Sequence, residues 1–391
     1  MTLIFIHQFQ SIYTPNKIKN DQLGKIKILY IITSLGLGGA ETLLLYYLKN
    51  LDKKKYNLYV CCFREKPDDL IEEMSAYAEV INFKIRNKFN PAIIFYILRL
   101  IREIKPDIIH THLFQPRVYT TIAHLFNKQS ILITQKHSIV NPKKHNIFIL
   151  LEMISLRMNK KVIAISESVK KSLTKYEFIP RNKIFVLPNC IDYQAFNKAI
   201  LRDSIKNINE IVIGTVGRLE KVKGINYLLF AMKIILAKYP HTRLEIIGDG
   251  SQAGELVEIS KKLGISNSVK FFGKFTDVIP FYNKMDIFIL PSVLEGFGIV
   301  LLEAMAAGLP VVASDVDGIK EVVIHGESGI LIPPKNPDAI ASAVIQLIEN
   351  PQLVNKLVEN GLKRAQLFDV KEHVMKLESL YSNLLGAESY K

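Results

Sequence analysis

Apolar residues in this chain gather in short continuous runs, and two long stretches open alike. "KIKILYIITSLGLGGAETLLLYYLKNL" (25–51) passes from a β-rich apolar run through a glycine turn into a helical pattern. "EIVIGTVGRLEKVKGINYLLFAMKIILAKYP" (210–240) repeats strand, glycine turn and helix. Short apolar strands follow each opening: "NLYVCCF", "PDIIHTH", "ILITQKH" and "KVIAIS" in the first half, "RLEIIGDG", "VKFFGKF", "DIFILPS" and "PVVASD" in the second. Uninterrupted strands alternating with helical segments predict parallel sheets covered on both faces. The expected fold class is α/β, with two doubly wound domains in tandem facing each other across a cleft. In such sheets ligands bind at the carboxyl ends of the strands, where the glycine turns lie. The polar stretch 193–209 lacks strand character and marks a boundary placed at 200/201, and 368–385 carries a last helical pattern.

Composition narrows this picture. A length of 391 residues suits two domains, and 49% hydrophobic with 23% charged residues supplies two cores. Three cysteines, two of them adjacent (Cys61, Cys62), make neither a disulfide framework nor a metal spacing, which points to a reducing compartment. The N-terminal "MTLIFIHQFQSIY" lacks the basic region and cleavage site of a signal peptide. Apolar runs such as "PAIIFYIL" before Arg99 fall short of the roughly 18–20 residues that span a bilayer. The expectation is a cytoplasmic protein that at most rests on a membrane. The net charge of +14 is lopsided: residues 1–200 hold 30 Lys+Arg against 15 Asp+Glu, and the remainder 21 against 22. A basic half implies a polyanionic partner: nucleic acid, an acidic membrane face or an anionic substrate.

Candidate chemistry collects at the predicted strand ends. Gly36, Gly38 and Gly39 in "SLGLGGAE" separate a strand from a helix, where backbone N–H groups and a helix N-terminus suit an anion. Their spacing is not the G-x-G-x-x-G of a dinucleotide site, and a plain tight turn accounts for them equally. In "GRLEKVKG" (217–224), Gly217 opens a turn flanked by Arg218, a planar fork, and Lys223, a mobile point charge, the pairing that a diphosphate wants. "DIIHTHLFQPR" ends a strand with His110 and His112, two apart and so on one face. They read as a metal pair or as a histidine lining a cleft, and no further ligand stands at metal spacing. His137, in "TQKHS", is a second cleft candidate. "SDVDG" (314–318) contains a D-x-D, readable as a cation site or as turn chemistry.

Glu295 lies in the glycine loop "PSVLEGFG" beside Gly296, Phe297 and Gly298, and Glu303 sits one to two turns into the following helix. A hydrolytic carboxylate pair would flank a glycosidic bond at about 5–10 Å. It would also want an aromatic-lined sugar cleft, and the chain has no tryptophan. A nucleotide site would instead use one carboxylate for ribose hydroxyls and the other for a second polyol.

Taken together, "GGAE", "DIIHTH", "VLPNCID", "GRLEKVKG" and "PSVLEGFGIVLLEAMAAGLPVVASDVDGIKEVV" resemble the retaining glycosyltransferases of family 4 over residues 26–385. The resemblance implies the GT-B fold: two Rossmann-like domains, 25–200 for the acceptor and 201–368 for the nucleotide-sugar donor. Residues 1–24 would be an N-terminal extension, and 369–391 a helix packing back on the N-terminal domain. Gly217, Arg218 and Lys223 would meet the diphosphate and Glu303 the ribose. Glu295, with the backbone of Gly296, Phe297 and Gly298, would hold the donor sugar. Gly38 and Gly39 would approach the phosphates, and Phe272–Gly273 the base through backbone. His112 would sit beside donor sugar and acceptor, with His137 a further acceptor or sugar contact. Catalysis would thus rest on His112, Glu295, Arg218 and Lys223. Two positions depart from the family pattern, where Cys190 and Asp317 stand in place of glycine.

Arg218, Lys223 and helix N-termini can stabilise the leaving diphosphate, so no cofactor and no obligatory metal is implied. In the family's same-face attack the leaving phosphate assists acceptor deprotonation, which leaves Glu295 to position the sugar. "NPKKHNIFILLEMISLRMNKK" (141–161) adds an apolar helical stretch flanked by Lys143, Lys144, Arg157, Lys160 and Lys161. It suits an anionic membrane surface or a core helix with snorkelling ends. The expected activity is transfer of a hexose or N-acetylhexosamine from a UDP-sugar to a lipid-linked or polysaccharide acceptor in cell-envelope glycan synthesis. A sugar-nucleotide epimerase and a basic nucleic-acid-binding protein compete with it. No nucleic-acid module is recognisable, so nucleic acid is not an expected partner.

Overall fold

The structure, a computed structural model, describes residues 24–64, 69–87, 90–139, 146–197 and 210–386. The extension 1–23, the basic flank at Lys143 and Lys144, and most of the polar boundary stretch (198–209) lie outside these residues. The chain divides into two compact units, one running to Pro188 and resuming at Lys371, the other Asn189–Val370.

The first unit holds a seven-stranded sheet: β1 (Ile26–Ile32), β2 (Tyr56–Cys62), β3 (Glu79–Asn82), β4 (Ile108–His112), β5 (Ile131–Lys136), β6 (Lys161–Ala164) and β7 (Ile184–Val186). The order is β3-β2-β1-β4-β5-β6-β7, every neighbouring pair parallel. Between the strands run α1 (Gly39–Asn50), α2 (Ile71–Ser75), α3 (Ala92–Ile104), α4 (Phe114–Leu125), α5 (Asn146–Met158) and α6 (Glu167–Tyr176). All seven residues of β2 are buried, as a strand covered on both faces requires. On α3, Ile93, Ile97, Leu100, Ile101 and Ile104 form one buried stripe, each such side chain contributing about 1.5–3 kcal/mol by leaving water. Lys105, in the left-handed region at φ 52°, closes that helix just before Pro106.

The second unit holds α7 (Tyr193–Asn197), β8 (Val212–Val216), α8 (Ile225–Lys238), β9 (Arg243–Ile247), α9 (Ala253–Lys262), β10 (Val269–Gly273), α10 (Ile279–Tyr282), β11 (Ile287–Leu290), α11 (Ile299–Ala306), β12 (Val311–Ser314), α12 (Asp317–Lys320), β13 (Ile330–Ile332), α13 (Pro337–Glu349) and α14 (Pro351–Gln366). Its parallel order is β10-β9-β8-β11-β12-β13. α13 and α14 begin alike: Asn336 and Asn350 accept from the N–H groups of Ala339 and Leu353, and proline fills the first helical position.

The last helix, α15 (Val370–Leu384), contributes its side chains to the first unit. The Tyr381 hydroxyl meets Tyr30 at 3.0 Å and Nδ1 of His110 at 2.8 Å, while Nδ1 of His373 donates to the Pro188 carbonyl at 2.7 Å. Each sheet changes winding direction once, between β1 and β4 and between β8 and β11. The carboxyl ends of those strand pairs are where doubly wound sheets bind ligands.

Candidate functional site

In the second unit the site is assembled by close backbone approaches that only glycine allows. Beyond β8, Gly217 donates to the Ile247 carbonyl, and a Cβ on Gly248 would lie 1.9 Å from the Gly217 oxygen. Arg218 follows, exposed, and its guanidinium makes no hydrogen bond or ion pair among the described residues. A short turn over Lys221–Lys223 ends at Gly224, φ 65°, where a Cβ would meet the Pro291 carbonyl at 2.2 Å. That contact presses the loop after β8 against the end of β11, and Val293 donates to the Val222 carbonyl at 2.8 Å.

Lys223 is thereby brought to Glu295. Its Nζ donates to Oε2 at 2.5 Å, and the same oxygen accepts from Ser292 Oγ at 3.3 Å. Oε1 of Glu295 accepts from the Gly296 N–H at 3.3 Å. Both side chains are less than a fifth exposed, so the cation and carboxylate hold each other at the rim. Gly298, φ 86°, is the residue from which α11 starts. The Phe297 ring is buried and meets Phe368 edge-on at 5.6 Å, so Gly296–Phe297–Gly298 presents only backbone outward.

The D-x-D segment has another role in the fold. Asp315 pairs with Lys320 at 2.9 Å, and among the described residues no cluster of three or more metal-ligating side chains occurs. Its glycine matters more: a Cβ on Gly318 would lie 2.3 Å from the Glu295 carbonyl oxygen and 2.5 Å from the carbonyl carbon of Gly296. Gly318 is thus the spacer beneath the Glu295 loop. Asp317 opens α12, and Cys190 is buried with φ outside the left-handed region.

Glu303, on α11, occupies a different environment, 7% exposed. Burial pushes its carboxyl up to about 7, opposed by the Tyr282 hydroxyl, which donates to Oε2 at 2.7 Å. Nothing in the sequence pattern marked Tyr282 beyond a hydroxyl in an otherwise apolar turn. Gly273, φ 79°, accepts from Gly248 at 2.7 Å. Beside it Phe272 and the exposed Phe275 stand edge-on to Phe281, at 5.0 and 4.7 Å.

In the first unit, Gly38 and the exposed Gly39 open α1, and Leu37 donates its N–H to Asp69 at 3.2 Å. A Cβ on Gly38 would meet only the Glu41 side chain, with Oε2 at 2.5 Å, and one on Gly39 nothing. At the end of β4, His110, His112 and His137 stack, with centroids 4.6 and 5.2 Å apart. Nδ1 of His112 and Nε2 of His137 share one proton at 3.0 Å. Burial drives all three histidines well below the usual range, His110 and His137 to about 3. They are neutral at pH 7, which suits hydrogen bonding and removes a cationic acid from this position.

Sequence reasoning also missed a buried ionic group beside them. Lys136, immediately before His137, bridges Glu152 and Glu177 (2.8 Å to the latter), and Arg117 joins Glu152 at 2.5 Å. Burial raises the Glu152 carboxyl, but Arg117 and Lys136 outweigh it and hold it low; burial, reinforced by Glu152, lifts Glu177. Among the described residues no helix is long and apolar enough to cross a membrane.

Comparison with known proteins fits this geometry. Residues 37–195 match the family described as Glycosyltransferase Family 4, and residues 196–364 that described as Glycosyl transferases group 1. The capsular polysaccharide biosynthesis glycosyltransferase CapM of Staphylococcus aureus is 31% identical over 303 residues, 74% of this chain and 80% of the relative. An Escherichia coli UDP-Gal:alpha-D-GlcNAc-diphosphoundecaprenol alpha-1,3-galactosyltransferase is 24% identical over 382 residues, 92% and 98% of the two chains. Among solved structures, Anabaena HepE in complex with UDP and glucose superimposes with a TM-score of 0.80 at 23% identity, covering 91% of this chain and 99% of HepE.

Proposed function

This chain belongs to the GT-B glycosyltransferases of family 4 type, and from that premise we propose that it transfers a hexose or N-acetylhexosamine, with retention, from a UDP-sugar to a lipid-linked or polysaccharide acceptor in cell-envelope glycan synthesis. One observation carries the reading: Lys223, Glu295 and the start of α11 converge at the carboxyl end of β11. A sugar diphosphate needs a cation and free amides for its phosphates and a carboxylate for its hydroxyls, and all three meet there.

On this reading Arg218 and Lys223 take the charge that builds on the leaving diphosphate, each such group supplying on the order of 10²–10³ in rate. Lys223 has three N–H donors, so it can keep Glu295 and still reach a phosphate oxygen. Glu295 then orients the sugar and Glu303 accepts from the ribose. His112, neutral and braced by His137, is a hydrogen-bonding neighbour of the donor sugar. The leaving phosphate oxygen takes the acceptor's proton. Gly38 and Gly39 offer amides to the phosphates, and the backbone at Gly273 meets the base.

The names of the relatives support the envelope assignment: one concerns capsular polysaccharide and one a diphosphoundecaprenol-linked acceptor. The first unit supports a membrane-bound acceptor. Leu150, Leu151, Ile154 and Met158 are exposed on α5, and Leu125 and Phe126 are exposed at the end of α4, which packs against it. Arg157 and Lys160 lie within or just beyond the same helix, a combination that fits an anionic bilayer surface.

Purified protein, incubated with radiolabelled UDP-glucose, UDP-galactose or UDP-N-acetylglucosamine and a bacterial lipid extract, should release UDP and label a lipid product whose new linkage is α by NMR. Isomerised sugar nucleotide, or UDP release without a labelled acceptor for every donor, would overturn the transferase reading of the site.

A further inference from the structure

We propose that Tyr282 is a positioning residue of the nucleotide site: its hydroxyl holds Glu303 by Oε2, so that Oε1 is the oxygen offered to the ribose. This rests on Glu303 being the ribose ligand, and the test separates the two claims.

The geometry leaves the phenol little freedom. Its ring is fully buried, edge-on to Phe196 of α7 at 5.8 Å and tilted against Phe288 of β11 at 5.6 Å. The hydroxyl reaches Glu303 Oε2 at 2.7 Å and the Val300 carbonyl at 3.4 Å, and a phenol's one proton goes to the nearer, charged acceptor. The preceding residue, Phe281, is the ring on which Phe272 and Phe275 stand, next to Gly273. The short helix α10 therefore sets two adjacent parts of one ligand: position 281 supports the segment assigned to the base, and position 282 aims the carboxylate assigned to the ribose.

The electrostatics make this role measurable. Burial alone raises the Glu303 carboxyl, and the Tyr282 hydrogen bond is what opposes it. α11 packs on α7, α14, β11 and β12. The strands carry no ionisable side chain, and α7 carries Tyr193. On α14, Lys356 is exposed, Lys363 pairs with Glu359, and Arg364 donates to the carbonyls of Val322 and Glu321. Among the described residues no charged group compensates Glu303. Ribose hydroxyls donate to the ionised carboxylate, so nucleotide affinity should rise with pH until Glu303 is fully ionised.

The experiment is UDP titration by calorimetry from pH 6 to 9 with wild type, Y282F, E303Q and F196L; the titrations of UDP itself are common to all four and cancel in ratios. Y282F keeps the ring and loses only the donor. It should move the midpoint of the affinity profile up by about one pH unit, weaken binding about fivefold at pH 7, and recover most of it by pH 9. E303Q should bind weakly and lack the Glu303 profile that wild type shows, so that its deficit relative to wild type grows with pH. F196L loosens the packing around the ring but keeps the hydroxyl, and should leave the midpoint in place. An unshifted midpoint in Y282F, or an equal shift in F196L, overturns the positioning role. Wild-type affinity and profile in E303Q overturn the ribose assignment itself.

Discussion

Glu303 should be a site where the protein gives up stability for binding, and replacing it by glutamine tests this. The carboxyl sits at about 7 in the folded protein against an ordinary value of 4.5. At about 1.36 kcal/mol per pH unit, that gap amounts to roughly 3 kcal/mol. Its sign follows from proton linkage: the folded state holds the proton more tightly, so stability from this group is present below pH 4.5 and falls as the pH climbs to 7. Above 7 the full penalty of a buried, uncompensated carboxylate remains. Glutamine copies the protonated acid and still offers Tyr282 an acceptor. Glu303→Gln should therefore match wild type near pH 4 and exceed it by roughly 3 kcal/mol at pH 8. For a cooperative unit the size of Asn189–Val370 this corresponds to a melting temperature about 6–12 °C higher. Calorimetric melts of both proteins from pH 4 to 8.5 at fixed ionic strength would measure the difference, with other titrating groups cancelling. A pH-independent difference, or a glutamine variant less stable than wild type at pH 8, would refute the reasoning. Loss of UDP binding by the same, more stable variant would complete the trade between stability and function.

Four further outcomes are expected. Arg218→Ala should lower turnover about 10²–10³-fold while the melting temperature stays put, because the exposed guanidinium contributes nothing to the fold; a large loss of stability would contradict this. Gly318→Ala should cost about 1–3 kcal/mol or more, since its Cβ meets the Glu295 carbonyl, and should depress kcat through the displaced loop; denaturant melts and steady-state kinetics check both. Lys136→Met should cost about 3–5 kcal/mol at pH 8 by leaving Glu177 buried without its cation, and less as the pH falls, because burial already raises that carboxyl and eases its protonation; chemical denaturation at pH 8 and at acidic pH decides it. Leu151→Glu with Ile154→Glu should abolish co-sedimentation with vesicles rich in anionic lipid while UDP affinity is unchanged, and retained sedimentation would exclude this face of α5 as the membrane contact.

Much of the fold was legible because parallel strands buried on both faces leave uninterrupted apolar runs, and because strand-end turns require glycine. β2 and the turns at Gly217 and Gly298 are examples. The E-x7-E element was legible for a similar reason, both glutamates lying within one loop and the helix it opens. What escaped was pairing at a distance. Lys223 and Glu295 are 72 residues apart, Tyr282 and Glu303 21, and Tyr30 and Tyr381 351. No periodicity encodes such contacts, since each is made by the sheet order and not by neighbours in the chain. The D-x-D segment shows how a motif can mislead: its aspartates draw the eye, yet the glycine after them fits under the Glu295 loop.

The two glutamates show what tertiary structure adds to a motif. By composition they are equivalent, eight positions apart and both beside apolar residues. Folding gives Glu295 a cation and two further donors at the rim, and gives Glu303 a buried niche with a single phenol. A hydrolytic couple also needs carboxylates in unlike environments, one kept protonated as the acid and one ionised. Here the raised carboxyl is the one buried on α11 with its Oε2 held by Tyr282, a setting without the open cleft that acid duty on a glycosidic oxygen requires. Glu295 is instead held by the lysine that a diphosphate would engage. The same asymmetry that would suit acid and base chemistry in an open cleft therefore favours two binding roles here, because burial and partner choice, not spacing, decide which proton each carboxylate can trade.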